Sequence, residues 1–391
     1  GNSSAHAPTK VTIDTGIAAH KDLQTDKRGL KFYDVFDKSE EAWNDKQTHG
    51  THCSGIMMAH GGVTGMAPDA KFIGIKVLDD EGSGTLASVM SGIDKAIEYF
   101  KAGYKPMVCN MSLGAGPTEV ATDALVAKVK EAADLGIYFA IAAGNSGPRP
   151  NSIGTPGTTI HPNVIPVAAF ETRSTIPQDD DSITSFSSRG GDKANLGQDS
   201  LRTTGMGADG SNVLSTINED GYAKYSGTSM AAPHITGALG LLVDLVNKMD
   251  ADGNLSVKPE EVNVAEMLRQ SGNDHAKIDA DTEGKYGELR VDKAAELIIK
   301  TYSKKGTAYD AEAVYERDLA GRPLGIDYDA SAEANAAKAR ALEAEARICF
   351  IGNDIGRAVE LKLEAVKDLT DAELYKALAL QAKKTARRAE A

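Results

Sequence analysis

From Lys10 to Phe170, short apolar runs alternate with longer stretches in which apolar positions recur every three to four residues. The runs in "KVTIDTGI" (10–17), "AKFIGIKVLD" (70–79), "KPMVCNMSLG" (105–114), "IYFAIAAGN" (137–145) and "NVIPVAAF" (163–170) have strand length and predict buried strands. Between them, "TLASVMSGIDKAIEYFKAG" (85–103) puts Leu86, Val89, Met90, Ile93, Ile97 and Phe100 on one helical face, with Gly103 as the stop. "PTEVATDALVAKVKEAADLG" (117–136) predicts a second helix with proline in its first turn. Alternation of this kind predicts a three-layer α/β fold, a mostly parallel sheet with helices on both faces.

After Tyr302 the pattern changes. Residues 303–391 are alanine-rich, Ile355, Val359, Leu363 and Val366 keep a helical stripe, and "TDAE" (370–373) has the form of a capping box. The chain is therefore expected to divide into an α/β domain, 1–302, and a helical C-terminal extension, 303–391, whose apolar stripes must cover the domain or a partner. No internal repeat interrupts this order.

Composition narrows the partners. With 391 residues, 41% hydrophobic and 25% charged, the chain can bury a large core. No run of 18 or more apolar residues occurs, so no membrane span is expected. The net charge of -13 argues against nucleic acid as a partner. The tail's 15 basic and 16 acidic residues nearly cancel, which leaves the acidity to the first 302 residues. Cys53, Cys109 and Cys349 are odd in number and widely spaced, and are read as free thiols rather than a disulfide framework or zinc cluster. The start at Gly1, without a Met or an apolar signal segment, is read as that of a processed chain.

Candidate chemistry gathers on one edge. Asp14, Ser112 and Asn145 each fall just past the C-terminal end of an expected strand, where open α/β sheets bind ligands. His49 and Ser229 stand at expected helix starts. The stretch "YSGTSMAAPHITGALGLL" (225–242) begins a core helix, yet its entrance is crowded with polar and small residues and Pro233 follows within the first turns. Proline removes the N–H that would bond to the Ser229 carbonyl, at a cost of up to ~3 kcal/mol that a core helix alone has no reason to carry. A serine hydroxyl becomes a useful nucleophile when a base takes its proton, and the base is usually a histidine oriented by a carboxylate.

Four blocks, "VTIDTGI", "THGTHCSGI", "AAGNSG" and "SGTSMAAPH", together resemble the subtilisin-like serine proteases, the subtilases, in which the chain order is Asp, His, Ser. The resemblance covers about residues 10–302. It implies that Ser229 is the nucleophile, His49 the general base and acid, and Asp14 the group that holds the imidazole. The amide of Asn145 would donate to the oxyanion together with the Ser229 N–H. His52 and His234 are expected to be structural. The same resemblance makes Gly82, Ser83 and Gly84, with Ser112, Leu113 and Gly114, two strands that clamp an extended peptide between them. The first side-chain pocket would be walled by 112–114 and by Ala142, Ala143 and Gly144, and floored by Gly154. Ser146 follows Asn145 and offers no fixed charge, so cleavage is expected after large apolar or aromatic residues with low stringency.

Three departures qualify the carry-over. Only 13 residues precede Asp14, fewer than relatives usually have. The segment "MMAHGGVTGMAP" (57–68) is short, so the family's calcium loop there is not carried over. Third, "DADGNLSVKPEE" (250–261) resembles an EF-hand loop, with Asp250, Asp252, Asn254 and Glu261 at oxygen-ligand positions and the Ser256 carbonyl between them. Leu255 occupies the place of the turn glycine, and the alternative is a solvated turn ahead of a helix opened by Pro259. Structural calcium is thus the one cofactor considered, and catalysis needs none. Polypeptide substrates, an inhibitory propeptide removed on maturation, and a secreted or extracytoplasmic location (an intracellular one also stays open) complete the expectation. Two rival readings are a dedicated peptide-maturing or macrocyclising subtilase, and a binding or scaffold protein acting through the helical tail.

Overall fold

The computed structural model of the protein describes residues 7–40, 43–116, 122–173, 178–191, 198–274 and 287–304. The expected extension beyond Lys304, and residues 117–121 of the expected second helix, lie outside them. In chain order the first elements are β1 (Thr9–Asp14), α1 (Thr25–Arg28), β2 (Gly29–Asp34), α2 (His49–Met58), β3 (Phe72–Lys76), α3 (Leu86–Lys101), β4 (Met107–Met111), α4 (Thr122–Asp134), β5 (Tyr138–Ala142) and β6 (Val164–Glu171). Then follow β7 (Ser182–Ile183), α5 (Ser200–Thr204), β8 (Met206–Asp209), β9 (Val213–Ile217), β10 (Gly221–Tyr225), α6 (Thr228–Ala251), α7 (Val264–Ser271), β11 (Asn273–Asp274), β12 (Gly287–Glu288) and α8 (Val291–Tyr302).

The described residues divide into two compact units, 7–244 with 263–294, and 245–262 with 295–304. The larger holds a sheet of order β11-β12-β8-β6-β5-β4-β1-β3-β2, with β7 paired to β6. Its pairs are parallel except β11 with β12 and β6 with β7. Strand alternation sorts the side chains into layers. Val11, Ile13, Ile73, Ile75, Cys109 and Met111 meet Val89, Ile93 and Ile97 of α3 and Val129 of α4 in one core. Full burial of each large aliphatic side chain contributes roughly 1.5–3 kcal/mol. On the opposite face, Thr12 lies 2.8 Å from Ser54 of α2, and Thr236 of α6 donates to Asn110 at 3.2 Å. Helices therefore flank both faces.

The five expected strands form, and α3 begins and ends as its sequence requires. Thr85 and Ser88 cap each other reciprocally at 3.0 and 2.9 Å, and Gly103 follows in the left-handed region (φ 103°). One expectation for α3 fails. Leu86 is 39% exposed rather than part of the core, because the first turn of α3 faces the cleft described below. By length and composition, α6 is the one described helix apolar enough to cross a membrane; it is largely buried within the protein, as a core helix must be.

In the smaller unit, Gly253 (φ 71°) turns the chain after α6. Leu255 forms a bridge with Ser303, and the N–H of Lys304 donates to the Asn254 carbonyl at 2.7 Å. Pro259–Glu261 form a single 3₁₀ turn.

Candidate active site

Topology brings the candidate residues to one edge of the sheet. Asp14 ends β1, Ser112 follows β4, and Asn145 lies in the loop after β5. His49 opens α2 and Ser229 is the second residue of α6. The first turn of α2 can rest on the end of β1 because residue 50 is glycine. A Cβ there would overlap the Gly16 carbonyl oxygen and stand 3.1 Å from the Asp14 Cβ.

Asp14 is fully buried, and its Oδ1 accepts from His49 Nδ1 at 2.8 Å and from the Thr15 N–H at 2.7 Å. Its Oδ2 is buried with no hydrogen-bond partner among the described residues. Burial pulls the His49 pKa down most strongly of any one cause, but Asp14 and Cys53 together push it up by more, so it sits well above the usual imidazole value. A proton on Nδ1, given to Asp14, leaves Nε2 as the basic nitrogen. The Ser229 hydroxyl donates to the Ser112 carbonyl at 3.3 Å. Ser229 and His49 line the same cleft.

The amide of Asn145 is oriented by Thr228. Asn145 Oδ1 accepts from the Thr228 N–H at 2.9 Å and from its hydroxyl at 3.1 Å, which leaves Nδ2 as the outward donor. Thr228 Oγ1 also accepts from the Gly144 N–H at 3.1 Å. Next to this amide, the N-terminus of α6 presents the Ser229 N–H with the helix dipole behind it. Among the other histidines, His52 Nε2 meets the Ala223 carbonyl at 3.0 Å and its ring stacks on Tyr225. Burial pushes its pKa down to about 4, so it stays neutral. Burial likewise lowers the pKa of His234, whose Nδ1 lies 2.9 Å from the Met230 carbonyl.

Sequence reasoning missed Asp45. Its Oδ1 accepts from the Thr15 hydroxyl and the N–H groups of Gln47 and Thr48, and its Oδ2 from the N–H and hydroxyl of Thr51. This buried carboxylate shapes the entrance to α2, where Thr48 is held at φ 81° immediately before His49. The available signal was an acid shortly before a helix start, which reads as an ordinary cap.

A cleft of about 670 Å³ runs past His49 and Ser229. Gly82, Ser83, Gly84, Ser112, Leu113, Gly114, Ala142, Gly144 and Gly154 line it, together with Leu86, Val89 and Leu125. Ala143 does not. It is fully buried behind the wall and packs with Ile153, Ala168 and Leu201, since its side chain takes the face opposite to its neighbours. At Gly154 a Cβ would lie 2.5 Å from the Ala115 carbonyl oxygen, so the floor has space for backbone only. No Asp, Glu, Lys or Arg is among the described lining residues.

The calcium expectation meets a different loop. Asp250 lies in the last turn of α6 and Glu261 in the 3₁₀ turn, and both are exposed, as is Asp252. Among the described residues, the one group of three His, Cys, Asp or Glu ligand atoms within 4.8 Å of one another is Asp14, His49 and Cys53, so Asp250, Asp252 and Glu261 are not gathered. The sharp turn falls at Gly253, while Leu255, 8% exposed, is committed to its bridge with Ser303. The loop as folded does not fit the ion.

Comparison with known proteins bears on the family and the fold. The sequence model of the Subtilase family matches residues 10–286. Serine protease AprX of Bacillus subtilis (strain 168) is 33% identical over 288 residues, which is 66% of this chain and 63% of that protein. Subtilisin of Bacillus sp. (strain TA39) is 35% identical, over 64% of this chain and 59% of its own. The chain thus spans less than two thirds of the length of these curated relatives. A protein named intracellular serine protease, from Paenibacillus polymyxa, is 35% identical over 61% of this chain and 67% of its own. Among solved structures, a cold adapted subtilisin-like serine proteinase superposes with a TM-score of 0.54 at 29% identity, covering 72% of this chain and 88% of that one. Sphericase does so with a TM-score of 0.58 at 27% identity, covering 74% and 95%.

Proposed function

Because the chain belongs to the subtilase family, we propose that it is a serine endopeptidase that cuts peptide bonds through an acyl-enzyme on Ser229. The observation that carries this reading is the 2.8 Å hydrogen bond from His49 to buried Asp14, with His49, Ser229 and Asn145 lining one cleft. Ser229 Oγ attacks the scissile carbonyl carbon while its proton passes to His49 Nε2. The oxygen that gains charge is received by Asn145 Nδ2 and the Ser229 N–H. When the C–N bond breaks, Nε2 hands the proton to the departing amine. Water then attacks the acyl carbon while Nε2 takes one of its protons, and Nε2 returns that proton to Ser229 Oγ as the ester bond to Ser229 breaks and the acid leaves. No step requires a metal.

The preferred residue before the cut is large and apolar or aromatic, and selection is loose. A glycine floor, apolar side chains along the cleft and the lack of a described charge support this preference. The test is hydrolysis of casein and of a peptide panel by the wild type and Ser229→Ala. The reading expects wild-type activity fastest after Phe, Leu or Tyr and none from the variant. Casein cut equally by Ser229→Ala would overturn the mechanism, and fastest cutting after Lys or Arg would overturn the specificity.

A further inference from the structure

Pro233 stands four residues after Ser229 within α6 and has no N–H, so the Ser229 carbonyl loses its helical partner. A buried carbonyl must find another donor. Two side chains from outside the helix supply it: Ser112 Oγ donates at 2.7 Å and Cys53 Sγ at 3.3 Å. Burial raises the Cys53 pKa, which keeps the thiol protonated and able to donate.

The Ser112 hydroxyl is itself held. Asn110 Nδ2 donates to it at 2.9 Å, and Asn110 Oδ1 lies 3.2 Å from Thr236 Oγ1, whose single proton is shared with the Ala232 carbonyl at the same distance. Asn110 and Thr236 are fully buried and Ser112 is 3% exposed, so water does not compete for these groups. The chain of bonds leaves the middle of α6, crosses the end of β4 and returns to the first turn of α6. The Ser112–Ser229 contact also runs both ways, since the Ser229 hydroxyl donates to the Ser112 carbonyl at 3.3 Å.

We propose that Ser112 is a positioning residue for the nucleophile, its side chain aligned by Asn110 and Thr236 to hold the Ser229 backbone at the carbonyl that Pro233 sets free. This rests on the peptidase reading and adds to it a cause for the proline in α6. Small displacements of a nucleophile cost rate rather than binding. The peptide clamp at 112–114 uses main-chain groups, so removing the side chain spares KM. The Asp14–His49 pair is untouched, so the acid limb of the pH–rate profile stays where it is.

The experiment measures kcat and KM per titrated active site, with fluorophosphonate labelling rate and circular dichroism, for wild type, Ser112→Ala and the near-isosteric Thr236→Val. Ser112→Ala is expected to lower kcat and the labelling rate about tenfold, the worth of one buried hydrogen bond, with KM within about twofold and the acid limb unmoved. Thr236→Val is expected to lower kcat by about three- to fivefold on the same pattern, and it carries the test if Ser112→Ala does not fold. A labelled wild type with kcat unchanged in the folded Ser112 variant, or in Thr236→Val where that variant stands in, overturns the proposal alone. A wild type that takes up no fluorophosphonate overturns the peptidase reading and this proposal together.

Discussion

At the scale of single residues, the Asp14 carboxylate opposes the effect of burial on His49 and, with Cys53, leaves its pKa raised. Only neutral His49 can accept the serine proton, and its pKa is raised, so kcat/KM should climb with pH through an apparent pKa above 6.5. Asp14→Asn removes the charge and leaves the burial, which by itself lowers the pKa. The acid limb should then move to lower pH while kcat falls on the order of 10⁴-fold, since the wrong tautomer is no longer corrected. A pH–rate series on both proteins checks this, and an unmoved limb would contradict it. Asn145→Ala should lower kcat about 10²–10³-fold with KM nearly unchanged, because that donor serves charge present only after attack. The pattern placed Asp14 and Asn145 at strand ends and His49 and Ser229 at helix starts, while their roles came only with the resemblance of the four blocks to the subtilases. Asp45 and Thr228 were not legible, since an acid or a threonine beside a helix start reads as a routine cap and only their convergence in space marks them. Ala143 was misplaced for a similar reason: its neighbours' role was extended to a side chain that points the other way.

At the scale of elements, β1 carries the tension between burial and charge. Lys10, 2% exposed, donates to the Pro8 carbonyl at 3.2 Å, and burial lowers its pKa to about 8 despite the attraction of Asp244. Between about pH 8 and 10.5 the unfolded chain binds this proton and the folded one does not, so stability rises with pH across that window by up to roughly 3 kcal/mol. Replacing Lys10 by Met should remove that rise, which urea unfolding of both proteins at pH 7.5 and 10.5 would show as a shrinking stability difference. Parallel curves for the two proteins would contradict it. The central strands and α3 were readable from periodicity alone. The edge strand β2 and the separate pair β9 and β10 were not, because polar residues mixed among the apolar ones break the apolar run. The 250–261 loop shows the converse limit, where ligand spacing matched a metal loop but the backbone turned two residues early.

At the scale of the whole molecule, every residue assigned to chemistry precedes position 230, and the family match ends at residue 286. A chain ending at Lys304 keeps the main-chain bond from Lys304 to Asn254 and should retain peptide hydrolysis within about threefold, a change of less than ~1 kcal/mol in barrier height. Loss of folding or of activity in that truncation would make 305–391 part of the catalytic unit. The order of the four blocks made the fold legible long before any contact was known, whereas the use of the tail is not written in a helical stripe that fits any apolar surface. The most direct measurement is mass-spectrometric mapping of the adduct formed with a fluorophosphonate. The account predicts one phosphonyl group per chain, carried by Ser229, with labelling slowed by orders of magnitude in His49→Ala. An adduct on another residue, or equal labelling without His49, would contradict it.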